Sequence, residues 1–137
     1  MKSNSQILKI RKIAFWITTT VIALMYFVTG LGNILPFTHI AQDMARLGYP
    51  TYFLKILGAW KILAATVMVI PRFNRIKEWA YAGMMFDLTG AALSRYFIGD
   101  PLPMIIVPVG LSILVTVNYA IRHTLQARAT GSQPYNI

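Results

Sequence analysis

Two charged residues, Lys61 and Asp87, stand inside apolar stretches of the sequence, and they are the side chains with the clearest chemical potential. Lys61 comes ten residues before Pro71, and Asp87 comes nine residues after Glu78. If both segments are helices, a rise of 1.5 Å per residue places both charges about 13–15 Å from the link between the segments. Opposite charges at equal depth on neighbouring antiparallel helices predict an ion pair.

This predicted pair has two interpretations. A charge at the centre of a membrane costs at least about 2.5–3.5 kcal/mol on insertion scales, so its presence needs a reason. In the structural interpretation, the pair fixes the register of two helices. In the functional interpretation, it binds a polar headgroup, a quinone carbonyl or a proton. The sequence assigns no catalytic residue.

Further polar and aromatic side chains are predicted to line a space near the pair. Small residues recur at helical spacing on three of the apolar segments, which lets membrane helices approach closely and leaves room for a ligand. Tyr26 and Asn33 are candidates for hydrogen bonds into that space, or to neighbouring backbone. Trp60 is a candidate to cap a flat ring, or to face lipid or the core, and Ser94 shares the helix face of Asp87.

A second charged pair, Arg95 and Asp100, brackets the turn after the third apolar segment. It is predicted either as a surface pair or as the mouth of an outward-facing cavity. No metal site is expected, because His39 and His123 fall on opposite sides of the predicted membrane and there are no cysteines. The chain therefore has no cofactor ligands of its own, and a quinone is the candidate cofactor.

The elements that must position these residues are four apolar segments. A hydrocarbon core of about 30 Å needs about 20 helical residues, and residues 14–35 form an uncharged run of 22. Inside lipid, each span should be an α-helix. The predicted fold is therefore all-α, an integral membrane four-helix bundle with spans at about 14–35, 52–70, 79–96 and 104–121.

The net charge of +9 is explained by a positive-inside bias rather than by nucleic-acid binding. Nine basic residues fall before span one, between spans two and three, or after span four, against two or three on the other side: Arg46, Arg95 and, close to the boundary, Lys55. The protein is thus predicted to cross a cell (inner) membrane with both termini cytoplasmic. Residues 1–13 form a basic cytoplasmic segment, 14–121 the membrane domain and 122–137 a flexible tail. Residues 38–47, between spans one and two, have amphipathic spacing and predict a short helix at the outer surface.

Several motifs resemble the DoxX-like family of small membrane proteins. These are LGYP at 47–50, LGAWK at 57–61, IPR at 70–72, and EWAYAG with FDLTGA between 78 and 91. The resemblance implies a four-helix membrane bundle. Some members of the family are subunits of thiosulfate:quinone oxidoreductase, and others are tied to membrane redox or stress complexes. The family often has Gly-x-x-Lys late in span one, where this sequence has Gly30 and Asn33.

Three functional hypotheses follow. The first is an accessory subunit of a quinone-linked membrane redox system, whose electron carrier comes from a partner. The second is a transporter for a small polar solute or a proton. The third is a non-catalytic assembly or structural factor. Whether the chain is part of an enzyme is left open, and the expected partners are the lipid bilayer, a membrane redox protein and further copies of the chain.

Overall fold

The computed structural model describes residues 3–35 and 38–131, and within these ranges the chain is helical without strands. Its elements are α1 (Asn4–Ile34), α2 (Thr38–Arg46), α3 (Thr51–Val69), α4 (Asn74–Phe97) and α5 (Leu102–Ala129). The all-α prediction is confirmed. Residues 1–2 of the predicted N-terminal segment and 132–137 of the predicted tail lie outside the described residues.

Three of the described helices, α1, α3 and α5, are long and apolar enough to cross a membrane. Their outward faces carry large apolar side chains, as on α5, where Ile106 and Ile113 are each 60% exposed. Helix α4 is long enough but less apolar, because Asp87 and Arg95 both fall within its predicted span. The span predicted at 79–96 therefore stays a prediction.

We call the end of the helices next to both termini the inner end and the opposite end the outer end, following the predicted orientation. The helices extend beyond the predicted spans at the inner end. Helix α1 begins at Asn4 rather than at residue 14, and α5 continues to Ala129 rather than ending at 121. Residues 122–129, predicted as part of a flexible tail, are therefore helical. The reason lies in side-chain contacts that hydropathy does not register: Arg122 is 4% exposed and donates a hydrogen bond of 3.0 Å to the carbonyl oxygen of Asn74.

The long helices pack in the order α1, α3, α4, α5, and α5 returns to contact α1. Their shared core is apolar and contains side chains from all four. Its members include Ile22, Tyr26, Met68, Met84 and Val115. The described helix α2 contacts α3 and α1. It ends at Arg46, and the positive φ of 82° at Gly48 then lets the chain turn into Pro50 and α3.

The closest helix crossing joins α1 and α3 at two glycines. A Cβ atom at Gly58 would lie 2.6 Å from the carbonyl oxygen of Gly30, and a Cβ atom at Gly30 would lie 3.0 Å from the carbonyl oxygen of Gly58. Only glycine permits this approach, as in other close crossings of membrane helices. One turn beyond Gly58, the Cβ atom of Lys61 lies 3.1 Å from the Cβ position at Gly30, so the crossing holds Lys61 against α1.

Candidate functional site

The structure brings Lys61 and Asp87 together between α3 and α4. The Lys61 Nζ atom lies 3.4 Å from Asp87 Oδ2. The two side chains are 18% and 19% exposed, so the pair is largely removed from the surface and still open on one side. The helical rise places them at matching depth because α3 and α4 are antiparallel and joined by a short link.

Tyr26 of α1 completes this site. Its hydroxyl lies 3.2 Å from Asp87 Oδ2 and 3.2 Å from the carbonyl oxygen of Met84, so its proton is donated to one of these acceptors. The Lys61 Nζ atom lies 5.9 Å from the centroid of the Tyr26 ring, within cation–π range. Three helices thus converge on one carboxylate. We call Tyr26, Lys61 and Asp87 the central trio.

The central trio borders two cavities. The larger, of about 570 Å³, is a groove between α3 and α4 whose outer end is lined by Met44 of α2 and by Leu47, which follows α2. Apart from the trio and a few polar groups near its outer end, its walls are apolar, and they include Leu57, Trp60, Val67, Trp79, Gly83 and Phe86. We call it the α3–α4 groove.

The second cavity, of about 350 Å³, lies between α1, α4 and α5. It reaches from the central trio along α4 to Arg95, and Thr29 of α1 and Met104 of α5 also line it. We call it the outer cavity. All three side chains of the central trio face both cavities, so the trio forms part of the wall between them.

The other residues predicted to line a pocket have different positions. Trp60 lines the α3–α4 groove and is 66% exposed. Ser94 lines the same groove, and its hydroxyl lies 2.7 Å from the hydroxyl of Tyr49. Asn33 lines neither cavity, because it packs at the α1–α3 crossing, with its Cβ atom 3.1 Å from the Cβ position at Gly58. Its buried Nδ2 atom has no hydrogen-bond partner among the described residues.

Arg95 and Asp100 belong to a larger cluster at the outer end. Arg95 contacts Asp100 at 2.9 Å and Asp43 of α2 at 2.6 Å. Arg46 of α2 also pairs with Asp100, whose side chain is 6% exposed. The sequence analysis placed Asp43 and Arg46 on the surface helix and did not pair them with Arg95 or Asp100. Gly99, with a φ of 75°, reverses the chain so that Asp100 reaches back to Arg95.

A polar network in the inner half was missed from the sequence. The Nδ2 atom of Asn118, in α5, donates to Thr18 Oγ1 at 2.7 Å and to Thr19 Oγ1 at 2.9 Å, and its Oδ1 atom accepts a hydrogen bond from Tyr81. An asparagine in an uncharged apolar span was the available signal, because a buried amide in lipid needs partners. The network joins α1, α4 and α5.

An apolar layer separates the central trio from this inner network. Ile22 of α1, Met68 of α3, Met84 of α4 and Val115 of α5 are each at most 1% exposed. On α1, for example, Ile22 lies between Thr19 of the network and Tyr26 of the trio. The trio is therefore approached from the groove and the outer cavity, and not through the core between the inner halves of the helices.

Charged groups at the inner end of α4 have shifted pKa values. Burial favours the neutral acid of Glu78, but hydrogen bonds from Arg122 and Tyr119 and the positive charge of Arg122 outweigh it and lower the pKa. Burial also lowers the pKa of Lys77, and the nearby positive charge of Arg122 adds to that effect. Desolvation and the neighbouring charge thus oppose each other at Glu78, and both lower the pKa of Lys77.

Comparison with known protein families assigns this chain to one of them. Residues 17–117, most of the chain, match the sequence model of the DoxX-like family. The chain belongs to the DoxX-like family. This confirms the resemblance carried by the sequence motifs, and it makes the DoxX-like chain a membrane protein, in agreement with its apolar helices. No curated protein and no solved structure matched this DoxX-like chain in the same comparisons.

Proposed function

We propose that this DoxX-like protein is a quinone-binding accessory subunit of a membrane redox system, with the quinone ring held at the central trio. The observation that carries the proposal is the position of an ion pair and a hydroxyl at the floor of a groove with otherwise apolar walls. Ligand sites of this kind combine apolar walls with a few polar groups that fix orientation.

Each part of the groove suits one part of a quinone. The ammonium group of Lys61 has three N–H donors, so it can pair with Asp87 and still donate to a ring carbonyl. The hydroxyl of Tyr26 would donate its single proton to the same carbonyl in place of Asp87 or the Met84 carbonyl. Trp60 offers a flat surface beside the ring. The inner half of the groove suits an isoprenoid tail, since only apolar side chains line it: Ala64, Val67, Ile76, Trp79, Ala80 and Gly83.

The proposed membrane arrangement is a four-helix bundle in the inner membrane, with α4 crossing beside α1, α3 and α5. The charges that reduce the hydropathy of α4 have partners: Asp87 pairs with Lys61, and Arg95 pairs with Asp43 and Asp100. Pairing lowers the cost of placing charges in lipid. We place α2 on the outer surface and both termini in the cytoplasm, following the positive-inside bias.

The electrons in this proposal come from a partner protein, because the chain has no cysteine and its two histidines lie far apart in sequence. Further copies of the chain are additional proposed partners. The transporter hypothesis is weaker, because the apolar layer of Ile22, Met68, Met84 and Val115 interrupts a polar route between the trio and the inner end. Solute uptake into vesicles containing only this protein would revive it. A stoichiometric redox enzyme recovered in a pull-down would support the accessory role.

Thermal unfolding with a short-chain benzoquinone tests the proposal. A ligand at a hundred times its Kd stabilises a protein by about 2.7 kcal/mol, which raises the melting temperature measurably. We expect this rise in the wild type and in Lys55→Met, and no rise in Lys61→Met. Lys55 is the matched control because it is an exposed lysine on the same helix that lines neither cavity.

A charge exchange, Lys61→Asp with Asp87→Lys, separates binding from helix register. The exchanged pair keeps the opposite charges, so we expect it to fold, and the quinone should no longer raise its melting temperature because the donors have moved. If the exchanged protein responds to quinone like the wild type, the pair acts only as a structural lock. If the wild type does not respond at saturating quinone, the proposed function is wrong.

A further inference from the structure

We infer that the outer cavity gives Asp87 its own route to water on the outer face, separate from the groove that admits the quinone. The inference rests on the proposed function only for the identity of the groove's occupant. It assigns the second cavity the role of a water-filled passage between the outer face and the Asp87 carboxylate.

The first support is geometric. The outer cavity begins at the central trio and extends along α4 from Asp87 to Arg95, which at 1.5 Å per residue is about 12 Å. Thr29 supplies a hydroxyl partway along this path. Its volume of about 350 Å³ accommodates several waters, which need polar partners of this kind. The cavity thus connects Asp87 with the outer charged cluster.

The second support is the distribution of charge around Asp87. Lys61 faces it from α3 and the hydroxyl of Tyr26 faces it from α1. From α5, the residues that line this cavity are apolar: Met104, Val107, Pro108 and Leu111. Arg95, farther out on α4, is held by Asp43 and Asp100. Water that enters the outer cavity therefore meets Asp87 as the one carboxylate among the described residues lining it.

The third support is that the two cavities differ in character beyond the shared trio. Both cavities reach Arg95, but the α3–α4 groove also extends inward between apolar side chains, whereas the outer cavity, which Thr29 lines, lies only between the trio and the outer end. The apolar layer of the core closes the inner side of the trio. A carrier dissolved in the membrane and water from the outer face would thus reach the same ion pair from different sides.

Cysteine labelling tests this route, because the natural chain has no cysteine. Thr29→Cys places a thiol in the outer cavity, and Val28→Cys places one at nearly the same depth on a face of α1 that lines neither cavity and is 58% exposed. A charged, membrane-impermeant methanethiosulfonate is added from the outer side of sealed vesicles. We expect Thr29→Cys to react at least about tenfold faster, because only a thiol in contact with water ionises readily.

Two further measurements make the outcome decisive. Met25→Cys also lines the outer cavity and replaces Thr29→Cys if that variant does not fold. Equal labelling rates for the cavity variant and Val28→Cys would overturn the inference. Fast labelling with no thermal response to quinone would support the water route and contradict the proposed function. Slow labelling with a normal quinone response would overturn the water route alone.

Discussion

The glycine crossing between α1 and α3 gives the sharpest prediction about stability. In Gly58→Ala, the new methyl group would lie 2.6 Å from the carbonyl oxygen of Gly30 and 2.7 Å from Ile34 Cγ1, well inside the 3.4 Å at which van der Waals contact begins. The Gly30 oxygen belongs to a helix backbone and cannot rotate away. The two helices must therefore separate, which we expect to displace Lys61, one turn along α3.

The magnitude follows from comparison with Gly110→Ala on α5, where a methyl group meets no atom within 4 Å. Both substitutions gain about 1 kcal/mol of helix propensity, because alanine is the better helix former. Only Gly58→Ala also overpacks an interface, at a cost of about 1–3 kcal/mol. The difference in the free energy of unfolding between the two variants should therefore be about 1–3 kcal/mol.

Unfolding by sodium dodecyl sulfate in bicelles, followed by far-ultraviolet circular dichroism, measures this difference. We expect Gly110→Ala to be as stable as the wild type or more so, and Gly58→Ala to be the least stable of the three. Quinone binding should also weaken in Gly58→Ala, because Lys61 moves with α3. Equal stability of the two variants would refute the close crossing and with it the explanation of how Lys61 is positioned.

Three further predictions concern charged and polar groups. Lys61→Met leaves the Asp87 carboxylate without its cation and should lower the free energy of unfolding by about 3 kcal/mol. This is the low end for a buried pair, because both side chains are partly exposed. The charge exchange should recover most of this loss in the same unfolding assay. Tyr26→Phe removes one hydrogen bond, so it should lower the free energy of unfolding by about 1 kcal/mol and weaken quinone binding. Unchanged quinone affinity in a titration would show that Tyr26 is not part of the site. The pKa of Glu78 is lowered in the folded protein, so the folded state binds fewer protons and stability should fall as the pH drops below the ordinary glutamate value of about 4.3. In Glu78→Gln this acid dependence should be smaller, and an identical pH profile for both proteins would show that the contact with Arg122 does not act on stability.

The sequence was informative about depth and much less so about helix rotation. Lys61 and Asp87 were paired by counting residues, since helical rise is nearly constant. Which face a residue presents depends on side-chain packing, which the apolar pattern of a membrane helix barely records. Asn33 was accordingly expected in a pocket, whereas it packs at the α1–α3 crossing, one turn from Gly30.

Contacts between distant segments were the other limit. Arg95 and Asp100 were paired because they are close in sequence, but Asp43 and Arg46 reach them only through the path of α2 and its following turn. The inner helix extension had the same origin, since Arg122 is held by Asn74, far away in the chain. Such partners follow from the fold and not from local periodicity.

The central claim is that the trio and the α3–α4 groove hold a quinone, and photolabelling with an azido-quinone in lipid nanodiscs tests it most directly. Labelled peptides should map to the groove walls on α3 and α4, near Trp60 and Trp79, and an excess of unlabelled quinone should abolish the label. Labelling confined to the outward face of α5 around Ile106 and Ile113, or labelling that unlabelled quinone does not reduce, would contradict the account.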